Sequence, residues 1–268
     1  MLSTIQRAIE AQDKVVAAAR ELKRSLMKHL FTYGPVPISE ASHVPLKETE
    51  IGPVPDHWRY RGLGPICDDA GGVVQTGPFG SQLHASDYVA EGIPVVMPQD
   101  ISSDGRVLLS DIARVRPSEA ERLLRHKLRS GDIVLGRRGE LGRRALITDR
   151  ETGWLCGTGC LLIRAGQTEL NAGYLFHYLS HPKVIERLAS DAIGTTMPNL
   201  NARILRNLPI AYPSISGQER IAASVDLLDA KTCAEERRKT VLQALFKTML
   251  RHLMTGKIRV PTTVTNDG

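Results

Sequence analysis

Four segments of this chain set glycines beside side chains that can grip a phosphate or read the edge of a base. They are Thr76-Gly77-Pro78-Phe79-Gly80-Ser81, Gly136-Arg137-Arg138-Gly139-Glu140-Leu141-Gly142-Arg143-Arg144, Gly157-Thr158-Gly159-Cys160 and Gly194-Thr195-Thr196-Met197-Pro198-Asn199-Leu200-Asn201. Glycine allows close backbone approach, while Arg, Asn, Thr and Ser carry donors and acceptors that reach phosphates and bases. The chemistry expected of such loops is the binding of a polyanion. Each loop is equally readable as a turn with incidental polar residues, and residue types alone leave both readings open.

No catalytic signature accompanies them. The sequence has no GxxxxGK[ST] phosphate loop, no HExxH, no GxSxG and no amino-methyltransferase motif of the NPP[YF] kind. Pro55-Asp56 lacks the spaced carboxylates that a nuclease core would add. The eight histidines are scattered, and surface or packing roles suffice for them. Cys67, Cys156, Cys160 and Cys233 show no paired-motif spacing. Cys156 and Cys160 flank a Gly-Thr-Gly, but no second ligand pair follows, so buried reduced thiols are expected in place of a metal site. That favours a cytoplasmic chain. No stretch approaches the ~18 to 20 apolar residues of a membrane span, and residues 1–30 lack an apolar signal core.

The net charge of +6 is unevenly spread. Residues 48–216 hold 19 basic and 19 acidic residues, yet Arg114 to Arg144 carries 10 basic against 4 acidic. Such a cluster suits a polyanion, although a solvated face has the same composition.

The elements that must position these loops fall into three blocks. Ile5 to Phe31 has apolar residues at helical spacing with neither Gly nor Pro, and Gly34-Pro35 stops it. Pro37 to Pro55 carries four prolines and reads as an extended linker. From Trp58 onward short apolar runs lie between glycines and prolines, with strands expected at 92–97, 132–135, 145–148 and 160–164. Ser118 to His126 reads as a short helix with Ser118 as N-cap and Glu121 completing a capping box, and Ala172 to Ala189 as another. Gln218 to Leu253 is a second long helix, its apolar stripe broken at Glu235 to Lys239, where it needs either solvent or a charged partner face.

One phrase occurs twice. Leu22 to Thr32 reads LKRSLMKHLFT and Leu245 to Thr255 reads LFKTMLRHLMT, an offset of 223 residues. The offset is far beyond solenoid or propeller periods, so two related helices bracket one central domain. Helices of ~30 to 36 residues extend ~45 to 54 Å, more than a domain of this size can cover. Pairing as an antiparallel coiled coil is favoured over packing onto the central core.

The central segment resembles the target recognition domain of type I restriction-modification specificity subunits. The matching phrases are TGPFGSQLHASDYVAEGIPVVMPQDI, GDIVLGRRGELGRRALIT, GTGCLLIR and TTMPNLNARILRNLPIAYPSISGQERIA, covering roughly residues 48–230. Such subunits usually carry two recognition domains in tandem, whereas this chain has two helices and one domain. The resemblance implies an α+β chain: one mixed α/β target recognition domain flanked by two long helices forming an antiparallel coiled coil. Its expected boundaries are a helix at 1–34, a linker at 35–56, the recognition domain at 57–216, a helix at 217–258 and a disordered tail at 259–268.

The implied role is non-catalytic recognition of one half of a bipartite target in double-stranded DNA, within an adenine methyltransferase and endonuclease complex. Expected partners are modification subunits, restriction subunits, and a second copy or separate first half. S-adenosylmethionine, ATP and Mg are expected on those partners, none on this chain. The alternative is a truncated C-terminal half that needs a separate first half or acts only as an assembly adaptor. Expected DNA contacts are Thr76, Gly77, Phe79, Gly80, Ser81, Gln82, Arg137, Arg138, Gly139, Arg143, Arg144, Thr196, Asn199 and Asn201. Expected subunit-interface residues are Leu22, Leu26, Leu30, Leu228, Leu242, Leu245, Met249 and Leu253.

Overall fold

Helix α1 (Leu2–Tyr33) begins a computed structural model that describes residues 2–139, 141–166, 169–192 and 199–257. There follow β1 (Leu46–Lys47), β2 (Val54–Pro55), β3 (Arg59–Gly62), α2 (Leu63–Asp69), β4 (Val73–Thr76), β5 (Tyr88–Val89), β6 (Ile93–Val96), β7 (Arg114–Val115) and α3 (Pro117–Arg122). The chain continues through β8 (Ile133–Gly136), β9 (Arg144–Leu146), β10 (Leu155–Cys156), β11 (Cys160–Arg164), α4 (Ala172–Tyr178) and α5 (Pro182–Asp191). It closes with α6 (Ala202–Asn207), β12 (Pro209–Tyr212) and α7 (Ile215–Met254). Two units result, one of residues 27–224 and one of residues 1–26 with 225–268.

In the unit of residues 27–224, two four-stranded sheets carry the core. One is antiparallel in the order β4-β11-β8-β9, and the other runs β10-β6-β7-β5 with β10 parallel to β6. The register Leu155↔Val95 and Cys156↔Val96 sorts side chains by the two-residue period of a strand. Val95 and Leu155 pack with Leu83, Val115, Ala120 and Leu123. Val96 and Cys156 turn the other way, against Val134, Ala145, Ile147 and Leu162. In the first sheet all of Ile133 to Gly136 and of Cys160 to Ile163 are buried. Burial on both faces explains why those segments are unbroken apolar runs without alternation.

One buried ion pair is embedded here. Arg164 donates to both Asp132 oxygens, at 2.8 and 2.6 Å, and to the Lys127 carbonyl at 2.9 Å. Asp132 also accepts from the Arg129 N–H at 2.8 Å, so the desolvated carboxylate is offset by several hydrogen bonds.

Three expectations need correction. The helix expected over 172–189 is two helices, because Pro182 has no N–H to donate and opens α5 after an extended His181. The N-cap of α3 is Arg116, with Pro117 in the first turn, and no side chain caps it; Ser118 does not. The segment 35–56 is more than a linker: β1 and β2 pair antiparallel, and Ile51 and Val54 are buried. The proposed tail at 259–268 lies outside the described residues.

In the other unit, Ile9, Gln12, Val16 and Ala19 are buried at three- and four-residue spacing. Gln12 donates to the Glu235 carboxylate at 2.6 Å and to its carbonyl at 3.1 Å. Arg20 pairs with Glu236, Lys23 with Asp229 and Lys239 with Asp13, each at 2.5 Å. Of the two options open to the Glu235–Lys239 break, Glu235, Glu236 and Lys239 take charged or polar partners, and Arg237 and Arg238 face solvent. The expected interface residues are unevenly placed. Leu22 and Leu245 are exposed, Leu26, Leu228, Leu242, Met249 and Leu253 are half-buried, and Leu30 is buried within residues 27–224.

Candidate nucleic-acid interface

Antiparallel pairing gathers the ends of three strands. The register Thr76↔Leu161 and Cys160↔Gly136 sets the C-terminal ends of β4 and β8 beside the N-terminal end of β11. The loops after β4, before β11 and after β8 therefore leave from one edge of the sheet. Backbone hydrogen bonds then join them. The Gly77 N–H reaches the Cys160 carbonyl at 2.9 Å, and the Thr158 hydroxyl reaches the Pro78 carbonyl at 3.0 Å. The Arg137 N–H donates to Gly159 at 2.9 Å, and the Leu200 N–H to Arg137 at 2.9 Å. So the described parts of all four glycine-bearing segments meet.

Two of the glycines have a steric reason. A Cβ on Gly77 would lie 2.0 Å from the Gly157 carbonyl oxygen, and one on Gly157 would lie 2.7 Å from the Val96 oxygen. No side chain fits either place.

A fifth segment, Met97 to Ile101, joins the group and was missed from the sequence as a site. Positions for a Cβ on Gly136 and Gly159 lie 3.6 and 3.3 Å from Pro98. Asp100 closes the turn by accepting the Met97 N–H at 2.8 Å, and Gln99 is exposed at its tip. The Pro-Gln-Asp after an apolar strand run was the available signal.

The expected contact residues divide by what already holds them. Arg138, Gly139, Phe79, Gly80 and Ser81 are exposed. Thr76 is half-buried at the end of β4 and Gly77 is buried. Gln82 accepts the Phe79 N–H at 3.1 Å, pinning its own loop. Arg137 is half-buried, its Nε 3.0 Å from the Leu200 carbonyl. Arg144 donates to the Phe176 and Gly142 carbonyls at 2.6 and 3.0 Å, and its guanidinium lies 4.4 Å over the Phe176 ring. Arg143 is half-buried. Asn201 caps α6 by accepting the Ile204 N–H at 3.0 Å. The Asn199 side-chain oxygen is buried with no partner among the described residues. Thr196 lies outside the described residues.

The basic stretch from Arg114 to Arg144 is partly neutralised. Arg122 pairs with Glu119 at 2.5 Å, Lys127 pairs with Glu121, and Arg114 reaches the Gly92 carbonyl at 3.4 Å. Among the described residues no cluster of His, Cys, Asp and Glu could hold a metal. Cys67, Cys156 and Cys160 are buried free thiols, and burial pushes Cys67 up to about 11 and Cys156 up to about 12. None is a thiolate nucleophile at neutral pH. No helix of the described residues is long and apolar enough to cross a membrane.

The fold, a mixed α/β unit with a long helix near each end of the sequence, is similar to that of solved type I restriction-modification S subunits. The chain matches the S subunit of a type I restriction-modification system from M. genitalium with a TM-score of 0.58 at 18% identity, covering 93% of this chain and 57% of that one. The HsdS subunit from Thermoanaerobacter tengcongensis gives 0.58 and 18%, covering 94% and 54%. The family described as the type I restriction modification DNA specificity domain matches residues 90–244, more than half of the sequence, and the chain belongs to that family. The specificity subunit of the type I restriction enzyme MjaVIII, from Methanocaldococcus jannaschii, is 23% identical over 266 residues, which is 97% of this chain and 59% of that protein. The chain thus spans under two thirds of the length of these relatives.

Proposed function

We propose that this chain is a non-catalytic DNA-specificity subunit of a type I restriction-modification complex, reading one half of a bipartite duplex target. The observation that carries this reading is the stitching of loops 76–82, 136–144, 157–160 and 199–201 at one sheet edge, in a member of the specificity-domain family. Glycines there keep the loop backbones close-packed, and Arg138, Ser81 and Gln99 present polar groups to solvent. Phosphate contacts would come from Arg138 and its basic neighbours, and base reading from the loop tips in the major groove, where each base pair has a unique pattern.

The two long helices form an antiparallel coiled coil in this reading. The contact pattern supports it, because partners fall from Lys239 to Asp229 as positions rise from Asp13 to Lys23. The helices would dock modification subunits and fix the distance between half-sites. A second copy, or a separate chain with its own recognition domain, supplies the other half. S-adenosylmethionine, ATP and Mg belong to the modification and restriction subunits, and the compartment is the cytoplasm.

The test is equilibrium binding to duplexes selected from a random-sequence pool, at two salt concentrations. A reader of DNA gives a steep salt dependence and a selected motif bound far more tightly than bulk DNA. An adaptor that assembles without reading DNA selects no motif. If the purified chain by itself cleaved or methylated DNA, the non-catalytic reading would be lost.

A further inference from the structure

Phe79 stands apart from every other aromatic side chain in the protein. Trp58, Phe31, Phe176, Tyr174, Tyr178 and Tyr212 are buried, and the remaining rings are half-buried. Phe79 is 57% exposed. In a chain with only 4% aromatic residues, a ring left in water gives up stabilisation that burial would supply.

The backbone beneath that ring is held from several directions. The Phe79 N–H donates to the Gln82 side-chain oxygen at 3.1 Å, and its carbonyl accepts from the Gln82 and Leu83 N–H groups at 2.8 and 3.2 Å. Arg122 donates to the Gln82 carbonyl at 2.6 Å, and Thr158 fixes Pro78. Gly77 is wedged against Gly157 just before it. A pinned loop that presents its largest apolar group outward is a preorganised contact, since little loop entropy is left to lose on binding.

A phenyl ring has no hydrogen bond to offer. In the major groove the feature an apolar group can discriminate is the thymine 5-methyl. We propose that Phe79 is a specificity-determining residue whose ring packs on a thymine 5-methyl group within the half-site. This rests on the DNA-reading function above, and the following experiment separates the two.

Duplexes are selected from a random pool by the wild-type chain together with its co-purifying subunits, and the best duplex is remade with uracil replacing each thymine in turn. At one position uracil should weaken wild-type binding by roughly fivefold, the scale of one methyl group removed from water. Phe79→Ala should lose a similar factor on the thymine duplex and become indifferent to uracil there, while its affinity for bulk DNA and its salt dependence stay as in wild type. Phe79→Leu keeps an apolar group in place and should retain most of the thymine preference. Equal uracil sensitivity in wild type and Phe79→Ala would overturn the proposal, as would a motif unchanged by Phe79→Ala. Loss of affinity with the uracil effect intact would point to insertion between bases and would also overturn it. A wild-type chain that selects no motif at all would sink the DNA-reading function itself, a separate outcome.

Discussion

The helical unit and the sheet-bearing unit are held by different physics. In residues 27–224 the strand segments are buried on both faces, and Asp132 with Arg164 is enclosed among them. In the helical unit no residue of α7 beyond Val225 is fully buried, and charged pairs together with Gln12 link α7 to α1. Ile9, Val16 and Ala19 supply little area to tell one pairing register from another. Polar pairs do so more sharply, because a slip of one heptad would set Gln12 against Leu228 or Leu242 and leave a buried amide unpaired. Stability thus concentrates in the sheets, and positional information in the helices.

The sharpest way to break that contrast is Asp132→Ala. Removing one partner of an enclosed pair leaves the Arg164 charge uncompensated, and a loss of about 3 to 5 kcal/mol is expected. Urea denaturation of the whole chain measures it. A loss under ~1 kcal/mol would show that the pair is wetter than its burial suggests.

A smaller effect comes from His126, which is buried with neither ring nitrogen partnered among the described residues. Burial, and secondarily Arg125, pushes it down to about 4 from the ordinary 6.5. The folded state keeps the ring neutral, whereas the unfolded chain takes up a proton as pH falls through 6.5. Its contribution is therefore full above pH 6.5 and is lost progressively down to about 4, by about 3 kcal/mol at most. His126→Leu should flatten the dependence of the urea midpoint between pH 7 and 4.5. A residual slope is expected from His181, which burial also pushes down.

The smallest effect sharpens the comparison from the other side. Arg20→Ala removes an ion pair whose side chains are 67% and 40% exposed, and about 0.5 kcal/mol or less should be lost. Thermal unfolding with a circular-dichroism readout at low and high salt would measure it. A loss above ~2 kcal/mol would mean the helical unit depends on its surface pairs for stability as well as for register.

Much of this was legible in the sequence where a single period governs burial. The long helices and the strand runs at 132–135 and 160–164 follow from local patterns, and Cys67, Cys156 and Cys160 are buried thiols as expected whereas Cys233 is half-buried. The repeated phrase shows the limit. In the first copy Met27, Leu30 and Phe31 are buried, with Phe31 5.6 Å from Tyr174 and 5.7 Å from Tyr178 between ring centroids. In the second copy the counterpart of Phe31, Met254, is 81% exposed. Nearly the same letters therefore have different surroundings, and helical spacing could not say which copy is covered. The arginine loop has the same limit, since Arg138 and Arg144 are alike in sequence while only Arg144 is locked onto Phe176.

By itself the sequence determined the two long helices, the strand runs near 92–97, 132–135, 145–148 and 160–164, and the family those phrases resemble. These follow from local sterics and short periods, which act between residues near in the chain. Only the tertiary structure decided that four distant loops share one sheet edge, that a fifth turn at Pro98 joins them, and that Phe79 is the most exposed of the Phe, Tyr and Trp rings. Those outcomes depend on strand register and on contacts across 80 residues or more, such as Thr158 with Pro78, and no local period encodes them.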